Sequence, residues 1–290
     1  MLIYVADAFT DRCFGGNPAG IVLLDREHTF PDSHCMQKLA AELKHSETAF
    51  VLPDKNHRFH IRYFTPVREV DLCGHATIAA FALLKQLGFA GTDDVSVCTR
   101  SGPITVSFDQ DIIFISVAPA KAVYRFTLNE LPCLYHAFGL TDHAMPLHMM
   151  PEIISCGLAD ILLPVKDSQI LNHMTPDFEQ IARLSDIYHT VGFHVFAPFP
   201  EPETAADCRN FAPLYGIDEE AATGTSSGGL TFYLYNKNLI QKDRINIFRQ
   251  GTAMGRSSKI FGRITDHGID IGGRAVILFG GPASYESICR

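Results

Sequence analysis

The 290-residue chain has no Cys-x-x-Cys pair. Its cysteines, at positions 13, 35, 73, 98, 133, 156, 208 and 289, are scattered, which argues against a zinc knuckle or a thioredoxin-type centre and reads as a set of reduced thiols. Long apolar runs are also missing. Stretches such as 79–84 fall far short of the ~20 residues that cross a bilayer, so no membrane partner is expected. The opening Met1-Leu2-Ile3-Tyr4-Val5-Ala6-Asp7 has no basic leader and meets an acid at once, which reads as the first strand of a cytoplasmic protein rather than a secretory signal. No Lys/Arg cluster interrupts the formal charge of −8, so a nucleic-acid backbone finds no footprint and small molecules are the expected partners. Absent too are His-Glu-x-x-His, a lysine-bearing phosphate loop and Gly-x-Gly-x-x-Gly, which leaves metal, nucleotide and dinucleotide cofactors without a visible seat.

What remains is a folding composition, 47% apolar and 19% charged, over a length that suits one large domain or two of about 145 residues. Short β-branched or aromatic segments bounded by turn residues predict strands at 2–6, 20–24, 49–52, 59–64 and 95–99, with hairpins continuing to 104–108 and 112–117. Asp32 or Ser33 can cap a helix whose Met36, Leu39, Ala40 and Leu43 form one apolar stripe ending near Lys44. A second helix is predicted over 76–87, apolar nearly all round and so buried on most sides, with Gly88 just past its end. The second half repeats this grammar, with strands near 152–155, 160–165, 191–196 and 245–249 and helices near 175–184 and 226–234. No low-complexity linker is present, and Ala118-Pro119-Ala120 is the best boundary. Cys73-Gly74-His75 and Thr223-Gly224-Thr225 each follow an acidic stretch and open a small-residue helix, an echo that fits two similar halves facing one cleft.

A helix that opens with Gly and small residues points backbone N–H groups and a positive dipole end outwards, a seat for a carboxylate. Gly74 and Gly224 fit that role; they fit equally a role in tight packing or capping. Glu47 falls between a helix C-terminus and the strand at 49–52, where a carboxylate enters fixed, increasingly buried backbone, the setting that proton transfer near neutral pH requires. A solvated turn glutamate is the plain alternative. His75, in the first turn of the buried helix, can donate from one ring nitrogen and accept at the other, although a lone histidine is more often structural. Cys73 adds a thiol that is either a base or nucleophile or, in an apolar neighbourhood, inert. Gly224-Thr225-Ser226-Ser227-Gly228 matches a nucleophile elbow, and Asp243 and His267 follow in hydrolase order. The preceding 218–222 is acidic and helix-prone, however, not the buried strand an elbow needs. His45-x-Glu47 is half of a zinc-deaminase signature, and its partner is missing because Pro132-Cys133 is followed at the needed position by His136.

Taken in order, many segments match one pattern: Asp7-Ala8-Phe9-Thr10, Gly16-Asn17-Pro18-Ala19, Ser46-Glu47-Thr48-Ala49-Phe50-Val51, Ile61-Arg62-Tyr63-Phe64-Thr65-Pro66 and Asp71-Leu72-Cys73-Gly74-His75-Ala76-Thr77. In the second half they are Arg209-Asn210-Phe211-Ala212-Pro213, Gly216-Ile217, Glu219-Glu220-Ala221-Ala222-Thr223-Gly224-Thr225, and Gln250-Gly251 with Met254-Gly255-Arg256. Along nearly its whole length the chain resembles the phenazine-biosynthesis PhzF-like family. The resemblance implies an α/β (α+β) fold of the diaminopimelate-epimerase type: two similar domains, each a mixed, largely antiparallel sheet wrapped around a central helix. Their expected extents are 1–118 and 119–279, with 280–290 packing back on the first, and a homodimer is implied.

The same resemblance places a proton shuttle on Glu47, an assisting role on His75 and a second-domain acid on Glu220. It places substrate contacts on Asn17, Pro18, Ser46, Thr48, Gly74, Ala76, Thr223, Gly224 and Thr225. Three departures lie in the second-domain motif, where Glu220 stands for Asp, Ala221 for Pro and Thr225 for Ser. Related epimerases use two facing cysteines; Cys73 occupies the first position but Thr223 the second, which disfavours a two-thiol mechanism. The reading is an isomerase without cofactor or metal that moves a proton between carbons of a small carboxylate-bearing metabolite. Its rivals are a non-catalytic binding or interaction protein that keeps the fold, and a serine hydrolase using Ser226.

Overall fold

Strands β1 (Leu2–Ala8) and β2 (Asn17–Leu23) run antiparallel, Leu2 opposite Leu23 and Ala8 opposite Asn17. The turn between them depends on Gly16, whose φ is +56° and where a Cβ would stand 1.9 Å from the Ala8 carbonyl oxygen. Helix α1 (Ser33–Leu43) then crosses over to β3 (Glu47–Pro53), parallel to β2. Asp32 caps α1 by accepting from the N–H groups of His34 and Cys35, and Met36 and Ala40 bury its apolar stripe. Lys44 ends the helix in the left-handed conformation and turns the chain towards β3. β4 (Phe59–Phe64) returns antiparallel to β3 and carries the short antiparallel β5 (Glu69–Val70). After α2 (Gly74–Gln86), β6 (Val95–Thr99) lies parallel to β4 and continues as a meander through β7 (Gly102–Asp109) and β8 (Ile112–Ser116). α2 is buried from His75 to Phe81 and again at Leu83 and Leu84, as its nearly uniform apolarity demands. It packs against β1, β2, β3 and β8, so the strands wrap one central helix.

The following chain holds β9 (Lys121–Arg125), α3 (Leu131–His136), β10 (Glu152–Cys156), β11 (Leu158–Pro164), α4 (Ser168–His173) and α5 (Phe178–Ile187). Next come β12 (Gly192–Glu201), β13 (Thr204–Ala212), β14 (Ile217–Glu220), α6 (Gly224–Asn236), β15 (Asn246–Gln250), β16 (Ser258–Thr265) and β17 (Gly268–Gly273). β18 (Ala275–Pro282) and α7 (Tyr285–Cys289) close the chain. The coordinates are a computed structural model that describes residues 1–27, 29–54 and 58–289. Met1–Ser116 and the chain from Gly272 onward form one unit, and Val117–Ile271 form another. The return to the first unit begins earlier than residue 280, because the whole of β18 pairs with β1.

The two units use the same pairings. In the first, β18, β1, β2, β3 and β4 follow one another, antiparallel except for the parallel β2–β3 step, and β4 takes β5 antiparallel and β6 parallel. In the second, β9, β10, β11, β12 and β13 repeat that order, with β11–β12 parallel, and β13 takes β14 antiparallel and β15 parallel. α6 stands where α2 stands, packed against β9, β10, β11 and β16. Side chains repeat as well. Arg62 grips Glu69 with two hydrogen bonds of 2.7 Å and lies over Phe64, while Arg209 grips Glu219 with two of 2.8 Å and lies over Phe211. Thr77 and Ser227 each donate back to the carbonyl four residues earlier.

Two sequence expectations are corrected here. Residues 218–222 are not helical: Ile217–Glu220 is strand β14, because Ala212 and Asn210 of β13 pair with Ile217 and Glu220 while Arg209 pins Glu219. The helix expected over 175–184 runs instead from Phe178 to Ile187, where Asp177 accepts from the N–H of Gln180.

Candidate active site

In the first unit three segments meet at the start of α2. Ser46 and Glu47 follow the left-handed turn at Lys44, and Glu47 opens β3 beside Ala19 of β2. Cys73 is the N-cap residue of α2, extended and without a side-chain capping bond, and the first helical bond runs from Thr77 N–H to the Cys73 carbonyl. The N–H groups of Gly74, His75 and Ala76 thus precede the helical ladder. The His75 ring is buried and stands at the centre: Nε2 lies 3.4 Å from Glu47 Oε2 and 3.2 Å from Ser46 Oγ, and Nδ1 lies 3.4 Å from Cys73 Sγ. Burial lowers the histidine's pKa; the Glu47 carboxylate pulls the other way and His45 adds to the lowering. The ring is therefore neutral near pH 7. An ionised carboxylate only accepts, whereas a thiol donates, so Nε2–H towards Glu47 with Nδ1 accepting from Cys73 suits both partners.

Asn17 and Pro18 begin β2 immediately before Ala19, which puts them at the strand end next to Glu47. Thr48 does not join the group. One step along the strand from Glu47, it is fully buried on the opposite face, where a Cβ on Gly20 would meet both its Oγ1 and Leu43. Its side chain therefore faces away from the Glu47–His75 pair, and only its backbone is left to meet a substrate. Ala76 is buried and offers only its backbone.

In the second unit, Glu220 ends β14, and Thr223 caps α6 as Cys73 caps α2. Thr223 Oγ1 donates to Glu220 Oε2 at 3.0 Å. Gln250, almost wholly buried, ties this corner together: its Nε2 donates to the Glu220 carbonyl and to Thr223 Oγ1, and its Oε1 accepts from Thr223 N–H. Gly224 and Thr225 then open the helix, whose first internal bond is Ser227 N–H to the Thr223 carbonyl. Gln250 stands in a matched sequence segment yet was given no role there; only the strand pairing of β15 brings it to this corner.

Ser226 is no nucleophile. It is buried, its Oγ donates to Asp160 at 2.6 Å and accepts from Asn210, and Asn210 also reaches Nδ1 of the buried His194. Asp243 and His267 are exposed, and no histidine approaches the hydroxyl among the described contacts. The hydrolase reading is overturned even though a strand, β14, does precede α6. Elsewhere in this unit a cavity of about 480 Å³ is lined by Ser168, Asp207, Arg209 and Arg249, among others, and by none of the predicted site residues.

Solved structures share the fold. A PhzF-family phenazine biosynthesis protein from Bacillus anthracis superposes with a TM-score of 0.85 at 24% identity, covering 98% of this chain and 99% of its own. A hydroxyproline epimerase from Agrobacterium vitis, solved with bound trans-4-hydroxy-L-proline, gives 0.59 at 11% identity, covering 100% and 94%. The fold is thus that of the epimerases and racemases. Proteins named as uncharacterized isomerases from Clostridium acetobutylicum and Escherichia coli K12 are 32% and 31% identical, each over 96% of both chains. The profile of the phenazine biosynthesis-like proteins matches residues 6–281, and the chain belongs to this PhzC-PhzF family, as an isomerase.

Proposed function

We propose that the protein moves a proton between carbons of a small carboxylate-bearing metabolite, without a cofactor, using Glu47 as the acid/base. The observation that carries this is the Glu47 carboxylate held 3.4 Å from the neutral, buried His75 ring at the first turn of α2. In that reading Glu47 takes the proton from one carbon and returns it to another. His75 keeps the carboxylate oriented and gives or receives a hydrogen bond as the charge moves. The first-turn N–H groups at Gly74, at the positive end of a 13-residue helix, receive the substrate's carboxylate, and Gly224 opens a helix of the same length in the second unit. Ser46, Asn17 and Pro18 shape the surroundings of Glu47, and Glu220, Thr223 and Thr225 hold or relay at the start of α6. Thr225 occupies in α6 the place of His75 in α2, so the imidazole has one copy only.

The test starts with a metabolite panel incubated with the protein in heavy water, scoring deuterium gained at carbon. Against any compound found, Glu47→Gln keeps the shape and removes the titratable proton. It is expected to fold as the parent does and to lose ~10²-fold or more of kcat/KM, along with the deuterium uptake. Glu220→Gln is expected to do less. Parental turnover by Glu47→Gln, with dead His75 or Glu220 variants, would move the proton to one of those residues. Turnover is also expected to survive exhaustive chelation.

A further inference from the structure

The corner that builds the acid/base pair brings a third kind of donor to it. One carboxylate oxygen of Glu47, Sγ of Cys73 and a ring nitrogen of His75 all lie within 4.8 Å of one another. Among the described residues no other three such ligands gather so closely. The 3.4 Å edge from Nε2 to Oε2 is the spacing of two ligands on one tetrahedral ion with bonds of about 2.0–2.1 Å. Cys73 Sγ stands 4.0 Å from Nε2, against the ~3.5 Å that separates nitrogen and sulfur on one tetrahedral zinc, and the three ligand atoms lie within 4.8 Å, so the thiol has to close on both partners. Thiolate, imidazole and carboxylate together make a donor set for zinc rather than for magnesium or calcium. Ligation through Nε2 takes the tautomer with the ring proton on Nδ1. Glu47, partly exposed, leaves a way in and room for water as a fourth ligand.

We propose that Glu47, Cys73 and His75 together bind one zinc-class divalent cation, and that the ion inhibits the enzyme by occupying the carboxylate that moves the proton. Binding exchanges the Cys73 thiol proton, released to solvent, for a metal–thiolate bond. The inhibitory half rests on the acid/base reading of Glu47; the binding half does not.

Cobalt(II) titrated into the reduced, metal-free protein is the probe, read by its near-ultraviolet thiolate charge-transfer band and by zinc competition. One ion per chain is expected. Cys73→Ser, nearly the same size, is expected to abolish the band. His75→Gln and Glu47→Gln, each checked for native circular dichroism, are expected to weaken binding by at least the ~10–100-fold that even outer-shell changes cost. Changing the exposed Cys13 and Cys133 to Ser is expected to alter nothing. Deuterium uptake is expected to fall as zinc is added and to return with a chelator. No stoichiometric binding, or binding unchanged by Cys73→Ser, overturns the site. Binding without inhibition overturns only the second half. If Glu47→Gln proves fully active while the cobalt band still needs Cys73 and His75, the site stands and the acid/base reading falls.

Discussion

At the scale of single residues the site depends on one buried imidazole whose charge state follows from its surroundings. Removing His75 from water disfavours its protonated form, and the Glu47 carboxylate only partly offsets this. The ring is therefore expected to titrate below the ordinary value of 6.5. A pH series of its ring carbon–proton resonances, assigned by comparison with His75→Gln, measures this directly; titration at or above 6.5 would contradict the account. Since the neutral ring is the form facing Glu47, turnover is expected to persist as the pH falls through 6.5 rather than halve there. Glu47→Gln should not move the His75 resonance upward, because it deletes the one neighbour that favours the charged ring.

At the scale of elements the chain repeats one device: an arginine on β4 and another on β13 each clamp a glutamate on the short strand before the central helix. Arg209 and Glu219 are both nearly enclosed, whereas Arg62 is more open and Glu69 also meets the exposed Arg100. Glu219→Ala leaves a buried guanidinium unpaired and is expected to cost about 3–5 kcal/mol in urea unfolding. Glu69→Ala is expected to cost clearly less, since Arg62 can turn to water. Equal losses would show that burial does not separate the two clamps.

The clamp also explains what the sequence could and could not reveal. The capped α1, the apolar α2 and the strands at 59–64 and 95–99 were legible, because their propensity, periodicity and burial agree. The 218–222 stretch was not: acidic residues favour helix locally, and only pairing to β13 and the Arg209 clamp extend them. Glu47 and His75 could be singled out by their motifs. Their closeness to Cys73, and the Asp160–Ser226–Asn210–His194 chain, could not be, since each assembles from strands and helices far apart in sequence.

At the scale of the whole molecule, the duplicated frame carries different chemistry in each half. By strand register, Glu47 corresponds to Gly192 and Ala49 to His194, while Ala19 corresponds to Asp160. The first unit places alanine at both positions where the second buries an acid and an imidazole. Burial pushes His194 down to about 3 and Asp160 up to about 6, the latter against hydrogen bonds from Ser226 and the Gly192 N–H. As the pH falls below 6.5, the unfolded chain protonates His75 and His194 while the folded one does not, so stability is lost. Asp160 acts in the opposite sense. Between its ordinary 3.8 and about 6 the folded protein keeps a proton that the unfolded chain releases, so its share of stability is full at low pH and shrinks as the pH rises through 6. Asp160→Asn fixes the neutral form and removes that dependence. His194, at the far end of the same hydrogen-bonded chain, stays neutral in the fold across this range, and groups outside the chain contribute alike to parent and variant, so they cancel in the difference. Relative to the parent, the variant is expected to gain about 2 kcal/mol between pH 4 and pH 7, whatever the offset at pH 4, as read from parallel urea titrations. A difference that stays flat across that range would mean that Asp160 is ionised throughout, and that Ser226 and Gly192 outweigh its burial.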